Sequence, residues 1–458
     1  MARTKDLTVG NPTKLLIAFC IPLFLSAMFQ QMYSIGDSVI AGSVIGNDAL
    51  SEISNSYEVT LVFIAFAFGC NIGTSVIVAG FYGSKSYSKL KTAVFTSVIA
   101  SLIMCFTLMI LGISLSESLL RLLNTKEELL EASKNYLLIY CYSLPFVFLY
   151  NIATGIFAAL GDSKTPFIFL AISSVANVIF DYWFAKIGLG VEGIAWATFI
   201  CQAVASILSV IVVLRKILFL KEENEARIKI FDKEILKSFL VVAIPSILQQ
   251  SFISIGNLII QSEINAYGGY AMAGYGAAVK LNNVVITSLT ALGNGISNYT
   301  AQNLGANKPE RIKKGFVSSL IISYGLLIPI TLIYLLLATP LLSFFIDDNV
   351  TATNPQEKID MVYSVGKSFL FVVVPFYIVI ATKLASDGIL RGSRMMKQFM
   401  VATLLDLILR VGLSFLFNNI GGVEAIWWSW PIGWFLSLLV SLAFSLSRYK
   451  KNNNEIIE

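Results

Sequence analysis

Three side chains in the first long apolar stretch, residues 15–40, have the types and spacing to do chemistry. Gln30, Tyr33 and Asp37 follow one another at i, i+3 and i+7, so a helix places all three on one face. An aspartate at the middle of a membrane-spanning helix costs roughly 2.5 to 3.5 kcal/mol, and less near an end. An acid in such a place indicates a functional site with a partner elsewhere in the chain.

A second polar group occurs in the fifth and sixth apolar stretches. Asn177 and Asp181 are spaced i, i+4 and share a helix face, and Thr198 lies about one and a half turns into the next stretch. With a rise of about 1.5 Å per residue, these three fall at a depth similar to that of Asp37. Two aspartates, an amide and a hydroxyl at one level form an oxygen cluster suited to a proton or to a hard cation such as Na⁺.

Crowding of two carboxyl groups away from water determines what this cluster could do. Desolvation and a neighbouring like charge both disfavour the ionised form. One acid of the pair is therefore expected to hold a proton near neutral pH and to release it when a cation or water enters. A polar network that only locks helices together is the alternative interpretation, and these residues alone do not separate H⁺ from Na⁺.

The elements that must position these residues are membrane spans. The chain has 458 residues, of which 56% are hydrophobic and 13% charged, against about 25% charged for a soluble domain. Apolar runs long enough for a bilayer core of about 30 Å recur about twelve times. We place them at 15–40, 57–81, 92–114, 136–160, 166–185, 193–214, 238–262, 281–303, 316–345, 362–390, 398–417 and 424–446. The predicted fold class is an all-α polytopic membrane protein with twelve transmembrane helices.

Lysine and arginine are unevenly distributed among the predicted loops. The loops on the side of the two termini hold 24 of the 33 basic residues. By the positive-inside rule, both termini are expected to be cytoplasmic, in the plasma (inner) membrane of the cell. The same rule accounts for the net charge of +5, so we expect no nucleic-acid partner, and we expect a monomer in the lipid bilayer.

The charged segment 215–237 divides the chain into halves that resemble each other. GTSVIVAGFYGS from Gly73 matches GISNYTAQNLGA from Gly295, and GVEGIAWA from Gly190 matches GVEAIWWS from Gly422. Six spans followed by six form a parallel repeat, related by a pseudo-two-fold axis along the membrane normal. We predict an N-terminal six-helix lobe at 1–214, a cytoplasmic linker at 215–237, and a C-terminal six-helix lobe with a short tail at 238–458.

The second half carries buried charges of its own. Asp406 with Arg410, and Lys383 with Asp387, are both spaced i, i+4. That spacing suits ion pairs within one helix, which largely neutralise both partners. We therefore predict a structural role for both pairs.

On its motifs the chain resembles the multidrug and toxic compound extrusion (MATE) transporters over nearly its whole length. The motifs, in order, are Gln30, Tyr33 and Asp37, the glycine-rich stretch 69–73 with Gly83, the GIFAALGDSKTP turn at 155–166, Asn177 with Asp181, and Thr198. The resemblance implies two lobes around an alternating central cleft. It also implies export of organic cations or other amphipathic drugs and toxins, driven by inward H⁺ or Na⁺, with no enzymatic step and no cofactor besides the coupling ion.

The resemblance also implies roles for single residues. Asp37, Asn177, Asp181 and Thr198 match the family's first-lobe cation or proton site. Candidates for lining the substrate cavity are Gln30, Tyr33, Asn151, Gln249 and Gln250. The family's sodium-coupled branch has further acids in the middle of spans seven and ten, where this chain has none. The first-lobe, DNA-damage-inducible-like branch, which is proton-coupled, is therefore favoured.

Two other functions fit the sequence less well. A flippase for lipid-linked precursors, from the same broad superfamily, would handle anionic substrates and should line its cleft with basic residues. Apart from Lys367 at the outer end of its span, only Lys383 and Arg410 are basic within the spans, and each has an acid nearby. A membrane enzyme finds no support, since the chain has no histidine, no metal-ligand spacing and no Walker motif.

Overall fold

The computed structural model describes residues 5–123, 125–222, 227–346 and 355–455. In these ranges the helices are α1 (Pro12–Ile40), α2 (Asn47–Gly83), α3 (Tyr87–Leu122), α4 (Glu127–Ala159), α5 (Lys164–Lys186), α6 (Gly190–Leu218), α7 (Lys233–Asn265), α8 (Gly269–Gly305), α9 (Glu310–Leu336), α10 (Ala338–Ser343), α11 (Pro355–Val373), α12 (Tyr377–Gly392), α13 (Met396–Ile426) and α14 (Ser429–Glu455). A π-helical turn, Ala41–Ile45, follows α1, and a 3₁₀ turn, Val374–Phe376, joins α11 to α12.

Most of these helices are built to cross a membrane. Within the described ranges, eleven helical stretches are long and apolar enough to do so. The remaining predicted span, the eighth at 281–303, lies in α8, which has 37 residues but is more polar because it carries several Asn and Gln side chains. The protein is thus an all-α polytopic membrane protein with six spanning helices in each half of the chain.

The ninth predicted span, 316–345, is wrong in its extent. The helix α9 ends at Leu336, and the short α10 begins at Ala338. Pro340 lies in the first turn of α10, where no intrahelical partner is needed for its missing N–H. The same missing N–H prevents the hydrogen-bond ladder of α9 from continuing, although the residues stay apolar throughout.

The repeat seen in the sequence is also present in the backbone. Helices α2 and α8 both have 37 residues, and their bounds lie 222 positions apart. The turns that follow them place Lys85 and Asn307, also 222 apart, in the left-handed region at φ 57° and 56°. Gly190 and Gly422 have positive φ as well, 57° and 69°. Gly422 interrupts α13, which runs to Ile426 and thus beyond the end predicted at 417.

The chain folds into two compact units. The first contains the residues up to Gly10, Ala18–Leu248 and Ala301–Lys308, and the second contains Asn11–Ile17, Gln249–Thr300 and the residues from Pro309 onward. The first part of α7 and the end of α8 therefore pack with the first unit. The lobe bounds drawn at the 215–237 segment stay a prediction.

Glycines allow the ends of α2 and α8 to touch inside the first unit. A Cβ atom on Gly83 would lie 2.0 Å from the carbonyl oxygen of Gln302, and one on Gly305 would lie 2.0 Å from that of Gly80. Gly83 and Gly305 are 222 positions apart, and so are Gly80 and Gln302, so the two contacts are equivalent in the repeat and each helix uses its last glycine in the same way. No residue with a side chain fits at either glycine without moving the helices.

Candidate ion-coupling site

The helix α5 has its polar side inward. Its buried residues are Pro166, Ser174, Asn177 and Asp181. Its exposed side is apolar and includes Ile168, Ile172, Val175, Ile179 and Trp183. A lipid-facing surface must be apolar, so the spacing of Ser174, Asn177 and Asp181 turns these three side chains toward the other helices of the bundle.

The Asn177 side chain joins both predicted acids. One orientation of the amide gives hydrogen-bond partners to both its nitrogen and its oxygen. In that orientation the nitrogen lies 3.2 Å from Asp37 Oδ1 and 2.9 Å from Asp181 Oδ2. The other end of the amide, its oxygen, accepts from the backbone N–H of Thr198 at 3.2 Å. That end also lies 3.4 Å from Thr198 Oγ1. All four predicted residues are therefore brought together.

Three helices supply these groups. Asp37 lies in the last turn of α1, and Asp181 lies in the second-last turn of α5. Thr198 lies about two turns after the start of α6. Beside Asp37, a Cβ atom on Gly36 would lie 3.4 Å from Val178 Cγ2, so α1 approaches α5 closely at this level. The buried side of α6 consists mainly of small residues such as Gly193, Ala195 and Ala197, which allow a similarly close approach.

The two acids are withdrawn from water. Asp181 is 0% exposed, Asn177 1% and Asp37 9%. Asp181 forms no ion pair with lysine or arginine in the described ranges, and its Oδ1 has no hydrogen-bond partner there. A buried charge without a counter-charge is strongly unfavourable. The pair is therefore stable when it shares a proton, or when a small cation lies between the oxygens.

One neighbour of the acids escaped sequence-based prediction. Tyr136 of α4 is 7% exposed, and both Asp37 and Asp181 lie within electrostatic range of its hydroxyl. It belongs to an apolar cluster that also contains Ala41, Ile53 and Ile194. No spacing in the sequence connects Tyr136 with the acids, because it lies on another helix among apolar residues.

The cavity candidates have varied surroundings. Gln30 is exposed, and Asn151 is half-buried and donates to the Val147 carbonyl of its own helix at 2.9 Å. The side chain of Tyr33 lies outside the described part. Gln249 is buried and Gln250 half-buried, both in the second unit. None of these observations tests a role in substrate binding, which stays a prediction.

Both charge pairs of the second unit are in contact. Lys383 Nζ lies 3.0 Å from Asp387 Oδ2, and both side chains are buried. Arg410 Nη2 lies 4.0 Å from Asp406 Oδ2, and its Nη1 donates to Asn257 at 3.2 Å. Asp387 accepts a further bond from Ser441 at 2.6 Å. The bond from Ser441 joins α12 to α14, and the bond from Arg410 to Asn257 joins α13 to α7.

The family profile described as MatE matches residues 22–183 and 245–416, more than half of the chain and one stretch in each half. The chain belongs to the MatE family. This MatE protein is 31% identical over 307 residues to the "Probable multidrug resistance protein YoeA" of Bacillus subtilis, and the match covers 65% of each of the two chains. It is 26% identical to an FAD transporter of Shewanella oneidensis over 75% of each chain.

A solved structure shows the same fold. A crystal structure of MATE in complex with MaD3S superimposes with a TM-score of 0.88, covering 99% of this MatE protein and 100% of that chain, at 21% identity. This likeness extends the agreement from the matched stretches to nearly all helices.

Proposed function

We propose that this MatE protein is a secondary active antiporter that exports organic cations or other amphipathic toxic compounds in exchange for protons. The proposal is supported by its family, by relatives named multidrug resistance and multidrug export proteins, and by the acid pair on α1 and α5. Transport of this kind needs no catalytic step and no cofactor besides the coupling ion.

The contact of Asn177 with both Asp37 and Asp181 is the observation that carries the proposal. Two buried acids that share one amide donor hold one negative charge more easily than two. Entry of a proton changes how many hydrogen bonds α1 makes to α5 and α6. The ion can thus alter helix packing in the region that we expect to respond to drug binding.

Coupling follows if the ion and the drug bind to the same lobe in mutually exclusive states. The ion's effect on drug affinity then equals the drug's effect on ion affinity. Protonation from outside releases the bound drug. The proton leaves to the inside after the protein has changed from an outward-open to an inward-open state. A Na⁺ ion held by the oxygens of Asp37, Asn177, Asp181 and Thr198 is the alternative coupling ion.

We further propose that both termini are cytoplasmic and that the protein lies in the plasma membrane as a monomer. The excess of lysine and arginine in the loops on the side of the termini supports this orientation. In this orientation the C-terminal ends of α1 and α5 are on the outer side of the membrane. Asp37 and Asp181 lie near those ends, so the acid pair is reachable from outside.

A second candidate function is export of a flavin dinucleotide or a similar anion. The relative in Shewanella oneidensis is named an FAD transporter, and Lys383, Arg391 and Arg410 are buried cations in the second unit. Asp387 and Asp406 neutralise two of these three cations, which favours the cationic substrate.

The deciding experiment measures efflux of a fluorescent organic cation from proteoliposomes under a pH gradient or a Na⁺ gradient, imposed separately. We expect the pH gradient to drive efflux, and Asp37→Asn and Asp181→Asn to lower the driven rate by about tenfold or more. Glu192→Gln, which neutralises an exposed acid of α6, is the matched control and should retain the rate. If neither gradient drives a cation but a gradient drives FAD, the second candidate replaces the first.

A further inference from the structure

A groove lies where α1 and α9 begin, within the second unit, and has a volume of about 550 Å³. Its polar part contains Lys313 and Lys314, both exposed. Its full lining is Asn11, Pro12, Thr13, Lys313, Lys314, Val317, Ser318 and Ile321. The groove lies at the opposite end of α1 from Asp37 and has no part in the function proposed above.

The lining changes from charged to apolar along one face of α9. Lys313, Val317 and Ile321 are spaced i, i+4 and i+8, so they follow one another along the helix over about 12 Å. Val317 and Ile321 are 49% and 59% exposed. The charge therefore lies at the helix start, where a span meets the headgroups, and the apolar residues lie deeper, where acyl chains are.

The two ammonium groups are available to a ligand. In the described ranges neither Lys313 nor Lys314 forms an ion pair, although Glu310 is one turn earlier on the same helix. At the floor of the groove, the hydroxyls of Thr13 and Ser318 lie 2.7 Å apart, and Ser318 is 4% exposed. The start of α1 is capped by Asn11, whose Oδ1 accepts from the N–H of Thr13 at 2.9 Å, so the lysines are the main source of positive charge.

We propose that this groove binds an anionic phospholipid of the cytoplasmic leaflet, with its phosphate at Lys313 and Lys314 and an acyl chain along Val317 and Ile321. Basic clusters just cytoplasmic of a span attract anionic lipids. A soluble phosphate would use the lysines but would gain nothing from the exposed apolar stripe. The inference rests on the proposed orientation and not on the transported substrate.

The test is native mass spectrometry of the purified full chain with equal amounts of phosphatidylglycerol and phosphatidylcholine. We expect phosphatidylglycerol to be retained preferentially. Replacing both lysines, Lys313→Gln with Lys314→Gln, should reduce that preference by about tenfold. The control replaces two exposed lysines at the start of α7, Lys233→Gln with Lys237→Gln, and should keep the preference.

A second pair of variants separates a lipid from a free phosphate. Val317→Asn with Ile321→Asn should weaken retention of the lipid, while millimolar inorganic phosphate should not displace it. Equal retention of both lipids, a preference unchanged in the lysine variant, or displacement by inorganic phosphate would each overturn the proposal. Because all four positions are exposed, each variant should elute as a monodisperse peak in gel filtration, and transport failure with intact lipid retention would affect only the proposed function.

Discussion

Asp37 Oδ1 and Asp181 Oδ2 lie within 3.2 and 2.9 Å of one and the same nitrogen, that of the Asn177 amide. Two acids that share a donor do not act independently. We therefore expect Asp37→Asn and Asp181→Asn to be non-additive. The driven efflux rate of the double variant should be no more than about twofold below that of the slower single variant. If the two losses were independent, they would multiply.

A double-mutant cycle of initial efflux rates under a fixed pH gradient measures this coupling. The control pairs Asp181→Asn with Glu192→Gln, whose exposed carboxylate bonds only to Asn135 among the described contacts, at 2.9 Å. That control cycle should be additive. If the losses of efflux rate caused by Asp37→Asn and Asp181→Asn multiply, each acid binds an ion of its own.

Helix periodicity was sufficient to predict the faces and depths of this site. The spacing of Asn177 and Asp181 places them on one face of α5, and the constant rise per residue brings Asp37 and Thr198 to the same level. Periodicity does not say which helices are neighbours. The approach of Gly36 to Val178 depends on packing between residues more than 140 positions apart, and the resemblance to a family supplied that neighbourhood.

Contacts made by loops and termini were beyond prediction for a different reason. Asp162 in the α4–α5 turn is ion-paired with Lys216 at the end of α6, yet no spacing rule connects the two. Leu7 is 0% exposed although it precedes the first span. Isolated residues outside periodic elements leave no pattern, so their partners become visible only in the folded chain.

The two charge pairs of the second half are expected to be structural. Removing one partner of a buried pair leaves an uncompensated charge and costs about 3 to 5 kcal/mol, whereas replacing both by apolar residues is often neutral. Asp387→Leu should therefore lower the unfolding temperature strongly, and Lys383→Met with Asp387→Leu should restore most of it. Thermal unfolding in detergent measures both. A folded double variant without driven efflux would show that these charges also take part in transport.

The buried amide of Gln302 connects the N-terminal segment to two helix ends. Its Oε1 accepts from the backbone N–H of Leu7 at 3.0 Å, and its Nε2 donates to the Ala159 carbonyl at 2.7 Å. Gln302→Leu removes both of these hydrogen bonds to buried backbone groups, and a lost bond to a buried group costs about 1 to 3 kcal/mol. We expect a clearly lower unfolding temperature.

The matched control for Gln302 is Gln261→Leu. Gln261 donates to Asn265 on the same helix at 2.8 Å in an exposed position, where water can replace the bond. This control should unfold within a degree or two of the wild type. Equal unfolding temperatures for the two variants would show that the bonds of Gln302 to Leu7 and Ala159 add nothing to stability.

The contacts that Glu222 and Asp232 make between α6 and α7 should loosen in acid. The backbone N–H of Ser88 donates to Glu222 Oε2 at 3.0 Å and holds the pKa of that carboxyl below its usual range. Lys229 donates to Asp232 Oδ2 at 2.9 Å and lowers the pKa of Asp232 in the same way. A carboxyl with a lowered folded-state pKa contributes stability above its unfolded pKa and loses that contribution as the pH falls through the folded value.

Hydrogen exchange of the peptides that contain Ser88 and Glu234 measures this loosening, after correction for the intrinsic pH dependence of exchange. Glu234 reports on Asp232 because its N–H donates to Asp232 Oδ1 at 3.0 Å. Protection should be constant near neutral pH and should decrease below the usual pKa range of aspartate and glutamate. Glu222→Gln keeps an acceptor for the Ser88 N–H but cannot titrate, so protection at Ser88 should then depend much less on pH. Protection that stays constant into strong acid in the wild type would show that these carboxylates do not stabilise the bonds at Ser88 and Glu234.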